Sequence, residues 1–326
     1  MTIHDAVNQD NPLANYRRWV IEAWAVYVAI QAGLFEALKR PRTLAALAAE
    51  ENYDASALHS LLVGLLACGH LSVDGEGTYF LNGSAQRYFL RESDSFIGSS
   101  LAFLKTTSNY EKYPQILREG GSVGLTSEQW AYVTRGSASY TRSAVETLIR
   151  CCPALSEEKP VRVLDVGCGQ GTYLLELGRA VPRMEALGID PTPNVALQAR
   201  MNVASLGSRV RVEEGVLANV SETFELVLIN QILHVIGREE SVAMLAQAKE
   251  RLAAGGYIFI QEIVTRDCDP GAALFGFNMR MLFANGMVFD LDDLLRVVAE
   301  AGFVDIQTHQ IPGSTPGLVY VAARAA

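Results

Sequence analysis

Hydrophobic positions recur at helical spacing from about residue 15 to residue 39, with Tyr16, Trp19, Val20, Ala23, Trp24, Tyr27, Ile30 and Leu34 on one stripe. So aromatic a stripe predicts a long helix buried against another domain or another chain. Two shorter helical patterns follow, residues 43 to 51 and 56 to 68, joined by a turn at 52 to 54. The period then changes. Residues 70 to 73 and 78 to 81 read as strands around an acid- and glycine-rich turn at 74 to 77. Helix, turn, helix and hairpin together give the outline of a winged helix. Residues 91 to 150 return to helical patterning, with Phe96, Phe103, Tyr110, Tyr113, Trp130, Tyr132 and Tyr140 among them and a loop at 120 to 124. After the polar, proline-bounded stretch 153 to 160, short apolar runs alternate with helical stretches, the pattern of a parallel sheet covered by helices.

Composition narrows the function classes. The 326 residues are 49% hydrophobic and 19% charged, enough to bury a core and suited to two domains. Residues 43 to 90 hold Glu50, Glu51, Asp54, Asp74 and Glu76 but one strong base, Arg87, and the whole chain carries −9. A winged helix that grips phosphates needs cations, so a structural or dimerising role is the better expectation than DNA binding. The polar first dozen residues show no secretory pattern, and the five cysteines (68, 151, 152, 168 and 268) form no metal-ligand or disulfide framework. A cytoplasmic protein without a metal, a nucleic-acid partner or a membrane partner is expected.

The chemistry gathers after the strand-like run Val161–Val166 (VRVLDV), which leads into Gly167, Cys168, Gly169, Gln170 and Gly171 and then a helical stretch from Thr172 to Ala180. Strand, glycine loop and helix let a backbone approach a ligand at the carboxyl end of a sheet. The spacing Asp165-x-Gly167-x-Gly169-x-Gly171 differs from the dinucleotide pattern, and a second strand ends in Asp190, an acid placed to accept hydrogen bonds from two ribose hydroxyls. In that setting Cys168 reads as a small packing residue.

The segment VLDVGCGQG followed by GID resembles the first two motifs of class I S-adenosylmethionine-dependent methyltransferases. VRVEEGVL (210 to 217), FELVLINQILH (224 to 234) and LAAGGYIFIQE (252 to 262) follow in the family's order. With the N-terminal pattern included, the chain is similar to small-molecule O-methyltransferases of the caffeate and antibiotic-tailoring type from about residue 15 onward. The resemblance implies an α/β fold: a Rossmann-like class I domain at 156–326, a mostly helical winged-helix dimerisation domain at 1–95, and a helical connector at 96–155 lining the cleft. It implies a homodimer and S-adenosyl-L-methionine as methyl donor. Asp165, Gly167, Gly169, Gly171, Asp190, Glu214, Gly215, Val216, Leu217, Asn230 and Gln231 would hold the donor, with Tyr140 and Arg142 reaching its methionine carboxylate.

For chemistry the resemblance implies a histidine base, here His234, and an orienting carboxylate, here Glu262. Phe277, Asn278, Met281 and Asn285 would contact the acceptor. Departures stand beside these matches. Val235 and Ile236 replace an Asp-Trp pair, Val216 stands where an acid often meets the adenine (Glu213 or Glu214 could substitute), and Val288 occupies the place of a second carboxylate. O-methylation of a secondary-metabolite hydroxyl is therefore expected. Carbon or nitrogen methylation by the same fold, a non-catalytic cofactor-binding protein and a transcriptional regulator remain the alternatives.

Overall fold

The computed structural model describes residues 12–93, 95–98, 100–136, 141–156, 158–265, 270–311 and 317–325. The chain forms two compact units, Met1–Leu104 and Lys105–Ala326.

The first unit opens with helix α1 (Pro12–Ala32). It stops short of the predicted residue 39 because Gly33 turns the backbone left-handed at φ +79°, after which Leu34–Ala37 makes a separate short helix. Val26, Ala29 and Ile30 of α1 join Leu34, Phe35, Leu47, Leu58, Leu62 and Leu65 in one core. Helices α2 (Leu44–Glu50) and α3 (Ala55–Ala67) are capped by Thr43 and Asp54, whose side chains accept from the Ala46 and Ala57 amides. Strands β2 (Leu71–Val73) and β3 (Thr78–Leu81) pair antiparallel, and β1 (Arg42–Thr43) pairs with the other edge of β3. Asp74 locks the turn by accepting from the Glu76 and Thr78 amides at 3.0 and 2.8 Å. Helix α4 (Gly83–Phe89) completes the core. The predicted helix, turn, helix and hairpin are thus all present, in order.

A 3₁₀ stretch, Ser100–Lys112, leads into the second unit, where α5 (Tyr113–Glu119), α6 (Ser127–Gly136) and α7 (Thr141–Cys151) precede the sheet. The predicted linker is partly structured, since Pro153–Ser156 makes one helical turn. The sheet is built from β4 (Val161–Val166), β5 (Met184–Asp190), β6 (Val210–Glu214), β7 (Phe224–Asn230), β8 (Leu252–Thr265), β10 (Phe303–Gln310) and β11 (Leu318–Ala325), in the order β10-β11-β8-β7-β4-β5-β6, with the two-residue β9 (Phe289–Asp290) added to the end of β8. Strands β4 to β8 are parallel, and β11 is antiparallel to both β8 and β10. Helices α8 (Thr172–Ala180), α9 (Pro193–Val203), α10 (Leu233–Ile236), α11 (Arg238–Glu250), α12 (Pro270–Leu282) and α13 (Leu291–Glu300) connect the strands. Two separate apolar clusters, one around Leu174, Leu177 and Phe259 and the other around Leu164, Val227 and Val298, draw alternate residues of the same strands. Because β5 and β7 flank β4 on opposite sides, the chain reverses its winding there and leaves a crevice at the carboxyl ends of β4, β5 and β7. The fourth predicted strand stops at Asn230 rather than 234, as Gln231 adopts φ +60° and the chain turns into α10.

Candidate active site

Three glycines shape the floor of the crevice. Gly167, Gly169 and Gly171 have φ of +62°, +55° and +72°, a region in which side chains are strained. At Gly167 a Cβ would lie 2.6 Å from Cδ1 of Ile232, so the loop also depends on the missing side chain for room. Cys168 is buried between strands, its amide donating to the Ile189 carbonyl, and burial pushes its thiol pKa well up. Its burial is that of a small packing residue.

The acids hold the loop. Asp190 at the end of β5 accepts from the Gly169 amide through Oδ2 (3.1 Å) and from the Thr192 amide through Oδ1 (2.9 Å). Asp165 at the end of β4 is wholly buried, and its Oδ2 has no hydrogen-bond partner. Burial, and secondarily the charge of Asp190, raise its pKa to about 8. Beyond Asp190, Glu214 is its direct partner on β6, and the Gly215 amide donates to the Asp190 carbonyl. Glu213 is held by Arg211 at 3.2 Å, which leaves Glu214 as the acid beside Asp190. Val216 is exposed and Leu217 buried. At the end of β7, both amide atoms of Asn230 and Nε2 of Gln231 are buried without partners. Buried polar groups so rarely stay orphaned that several around one crevice mark a place built for a polar ligand.

Arg142, on α7, lies 3.8 Å from Glu176 on α8. Tyr140 lies outside the described residues.

A second cluster sits where α10 begins. His234 is 6% exposed and Glu262 0%. Glu262 accepts three hydrogen bonds: from the Ile232 and Leu233 amides through Oε1 (2.9 and 2.7 Å) and from Nδ1 of His234 through Oε2 (2.7 Å). Since that carboxylate is already an acceptor toward two backbone amides, the imidazole donates to it from Nδ1. The Phe275 ring stands edge-on to the imidazole, centroids 5.0 Å apart. The Met287 amide donates to the His234 carbonyl, fastening the segment after α12 beside it, and Val288 lies against Gly276.

Helix α12 and the turn after it carry the predicted acceptor contacts to different surroundings. Met281 is fully buried in an apolar cluster with Tyr110, Tyr113 and Phe275 around it. Phe277 is 40% exposed and stacks on Tyr110. Asn278 accepts from the Tyr110 hydroxyl at 2.8 Å. Asn285 is exposed, donates to Glu240 at 3.0 Å, and helps line a cleft of about 430 Å³ with Leu125, Trp130, Ile236 and Phe283. Sequence reasoning missed Phe275 beside His234 and the buried Tyr173 to Gln261 hydrogen bond, 2.6 Å, behind the crevice. Neither has a local signal, because each joins segments far apart in the chain.

Residues 163–256 match a family model described as a methyltransferase domain. The tetracenomycin polyketide synthesis 8-O-methyl transferase TcmO of Streptomyces glaucescens is 23% identical, the match covering 96% of this chain and 97% of that protein. The chain therefore carries a methyltransferase domain. The 3-hydroxy-5-methyl-1-naphthoate 3-O-methyltransferase of Streptomyces sahachiroi is 30% identical over 36% of each chain. Human N-acetylserotonin methyltransferase, solved with S-adenosylmethionine, shares the methyltransferase's fold at a TM-score of 0.79 and 18% identity, over 96% of both chains. The glycine loop, the two strand-end acids and the orphaned amides of Asn230 and Gln231 suit a polar nucleoside with an amino-acid tail. Among the described residues, no helix is long and apolar enough to cross a membrane, and no group of three or more His, Cys, Asp or Glu side chains could hold a metal.

Proposed function

We propose that this methyltransferase acts on a hydroxyl of an aromatic or polyketide-like small molecule and that His234 is its base. The buried His234–Glu262 pair carries this reading. S-adenosylmethionine, when bound, supplies the methyl group on a sulfonium leaving group. A phenol attacks poorly until its proton leaves, and a placed base contributes about 10²–10⁴-fold. His234 takes that proton on Nε2, and Glu262 stabilises the imidazolium through Nδ1. Asp190 and Glu214 bind the ribose, Asp165 with Gly167, Gly169 and Gly171 shape the loop beneath the donor, and Gly215, Val216, Leu217, Asn230 and Gln231 line its adenosine and methionine ends. Arg142 and Tyr140 serve the methionine carboxylate. Phe277, Asn278, Met281 and Asn285 flank the acceptor. Relatives that methylate naphthoate and polyketide hydroxyls support the substrate class.

A second reading rests on Val288. Without a second carboxylate, an acceptor that ionises unaided, or attack through carbon or nitrogen, would need positioning alone. Replacing His234 with Ala separates the two: a rate loss of about 10²-fold or more with a phenol supports the base, and a loss under about tenfold favours positioning. We further propose that the first unit joins a second copy through the outward face of α1, where Tyr16, Trp19, Val20 and Ile21 are each more than half exposed.

A further inference from the structure

From the Tyr110–Asn278 hydrogen bond on helix α12, the helix whose Phe275 ring meets His234, we propose that this pair reads a second oxygen on the acceptor and selects hydroxy-ketones over simple phenols. The inference rests on the function proposed above and adds a substrate feature to it. Phe275, whose ring meets the His234 imidazole, and Asn278 lie three residues apart on α12, so they share one helix face. Their separation along the axis is about 4.5 Å. Tyr110 reaches the same helix from the 3₁₀ stretch, 168 positions earlier, and its hydroxyl donates to Oδ1 of Asn278 at 2.8 Å.

That hydrogen bond fixes the amide. With Oδ1 engaged, Nδ2 is held as a donor, and it meets no acceptor among the described residues. Tyr110 is itself half buried, and burial raises its phenol pKa, so it stays a neutral donor. Phe277 stacks on Tyr110, centroids 5.7 Å apart and 16° from coplanar, and Tyr113 closes on Phe277 edge-on at 4.5 Å, so the donor is braced by rings. A flat acceptor whose hydroxyl faces His234 would turn a ring substituent toward Asn278, roughly one helical turn away. An oriented amide donor there favours a carbonyl oxygen. An acceptor lacking that oxygen forgoes this hydrogen bond and displaces the water that would otherwise make it, which is how a polar group discriminates.

The test is calorimetric titration of two phenols that differ by one carbonyl, 7-hydroxy-1-tetralone and 5,6,7,8-tetrahydro-2-naphthol, into the full chain saturated with S-adenosylhomocysteine. The wild type should bind the tetralone about tenfold more tightly. Asn278→Leu should erase the difference by weakening the tetralone alone, Tyr110→Phe should reduce it, and both variants should keep wild-type affinity for S-adenosylhomocysteine, which shows that they fold. Equal affinity for the two phenols, binding of neither, or discrimination that survives Asn278→Leu overturns the inference. Methyl transfer to either phenol, measured separately, judges the function proposed above, so the two failures are told apart.

Discussion

Glu262 is the residue on which the proposed chemistry turns, because one side chain orients the base and satisfies two amides at the start of α10. Glu262→Gln keeps the shape but offers an NH₂ where an acceptor is needed, so either the imidazole or an amide loses its partner. We expect the methylation rate to fall about 10²-fold and the melting temperature to drop with it, read by steady-state kinetics and calorimetry on the same preparation. Asp165 gives a pH signature. Its carboxyl pKa in the folded chain is raised to about 8 by burial, whereas an unfolded aspartate titrates near ~4. The folded state therefore holds a proton that the unfolded state releases. The stabilisation is complete below about pH 4 and is lost as the pH rises toward about 8. Asp165→Asn lacks this loss, so in thermal melts the wild type should fall behind the variant between about pH 5 and about pH 8; parallel melting curves would refute a buried, protonated Asp165.

Elements legible in the sequence are those whose signal is local. The strand Val161–Val166, the helix Thr172–Ala180 and the hairpin around Asp74 follow from β-branched runs, helical spacing and a turn acid, and each lies where the pattern put it. Boundaries failed where a single backbone angle decides them: Gly33 ends α1 early and Gln231 ends β7 early, both at positive φ. The helix face that reaches His234 was beyond local reasoning. Phe275 is distinguished only by what α12 lies against, and residues 121, 123 and 124, which hold that helix end through hydrogen bonds from Arg280 and to the Met281 and Leu282 carbonyls, look like ordinary loop. The glycine loop carries the element-scale prediction. Gly167→Ala forces a left-handed alanine against Ile232, at a cost of about 1–3 kcal/mol. Its melting temperature should fall and its affinity for S-adenosylmethionine should collapse; unchanged binding would show that the loop does not cradle the donor.

At the scale of the whole molecule, the change of pattern along the sequence falls at residues 153 to 160, and the contacts divide the chain after Leu104, so the helices before the sheet pack with it. The aromatic stripe of α1 points only partly inward. Val26, Ala29 and Ile30 enter the core, while Trp19 is 60% exposed. A single chain thus keeps an apolar surface in water that a second copy would cover. Trp19→Glu should shift sedimentation from dimer to monomer at micromolar concentration without unfolding the first unit; a wild type that sediments as a monomer would dismiss the dimer.

The central claim, that the glycine loop and Asp190 hold S-adenosylmethionine, is tested most directly by titrating that ligand and S-adenosylhomocysteine into the wild type and into Asp190→Ala, with melting curves to establish folding. The account predicts micromolar binding to the wild type and a loss of about 100-fold or more, roughly 2.7 kcal/mol, in the variant, as the charged ribose acceptor and the tie to Gly169 disappear together. A folded wild type that binds neither ligand, or a variant that binds as tightly as the wild type, would contradict it.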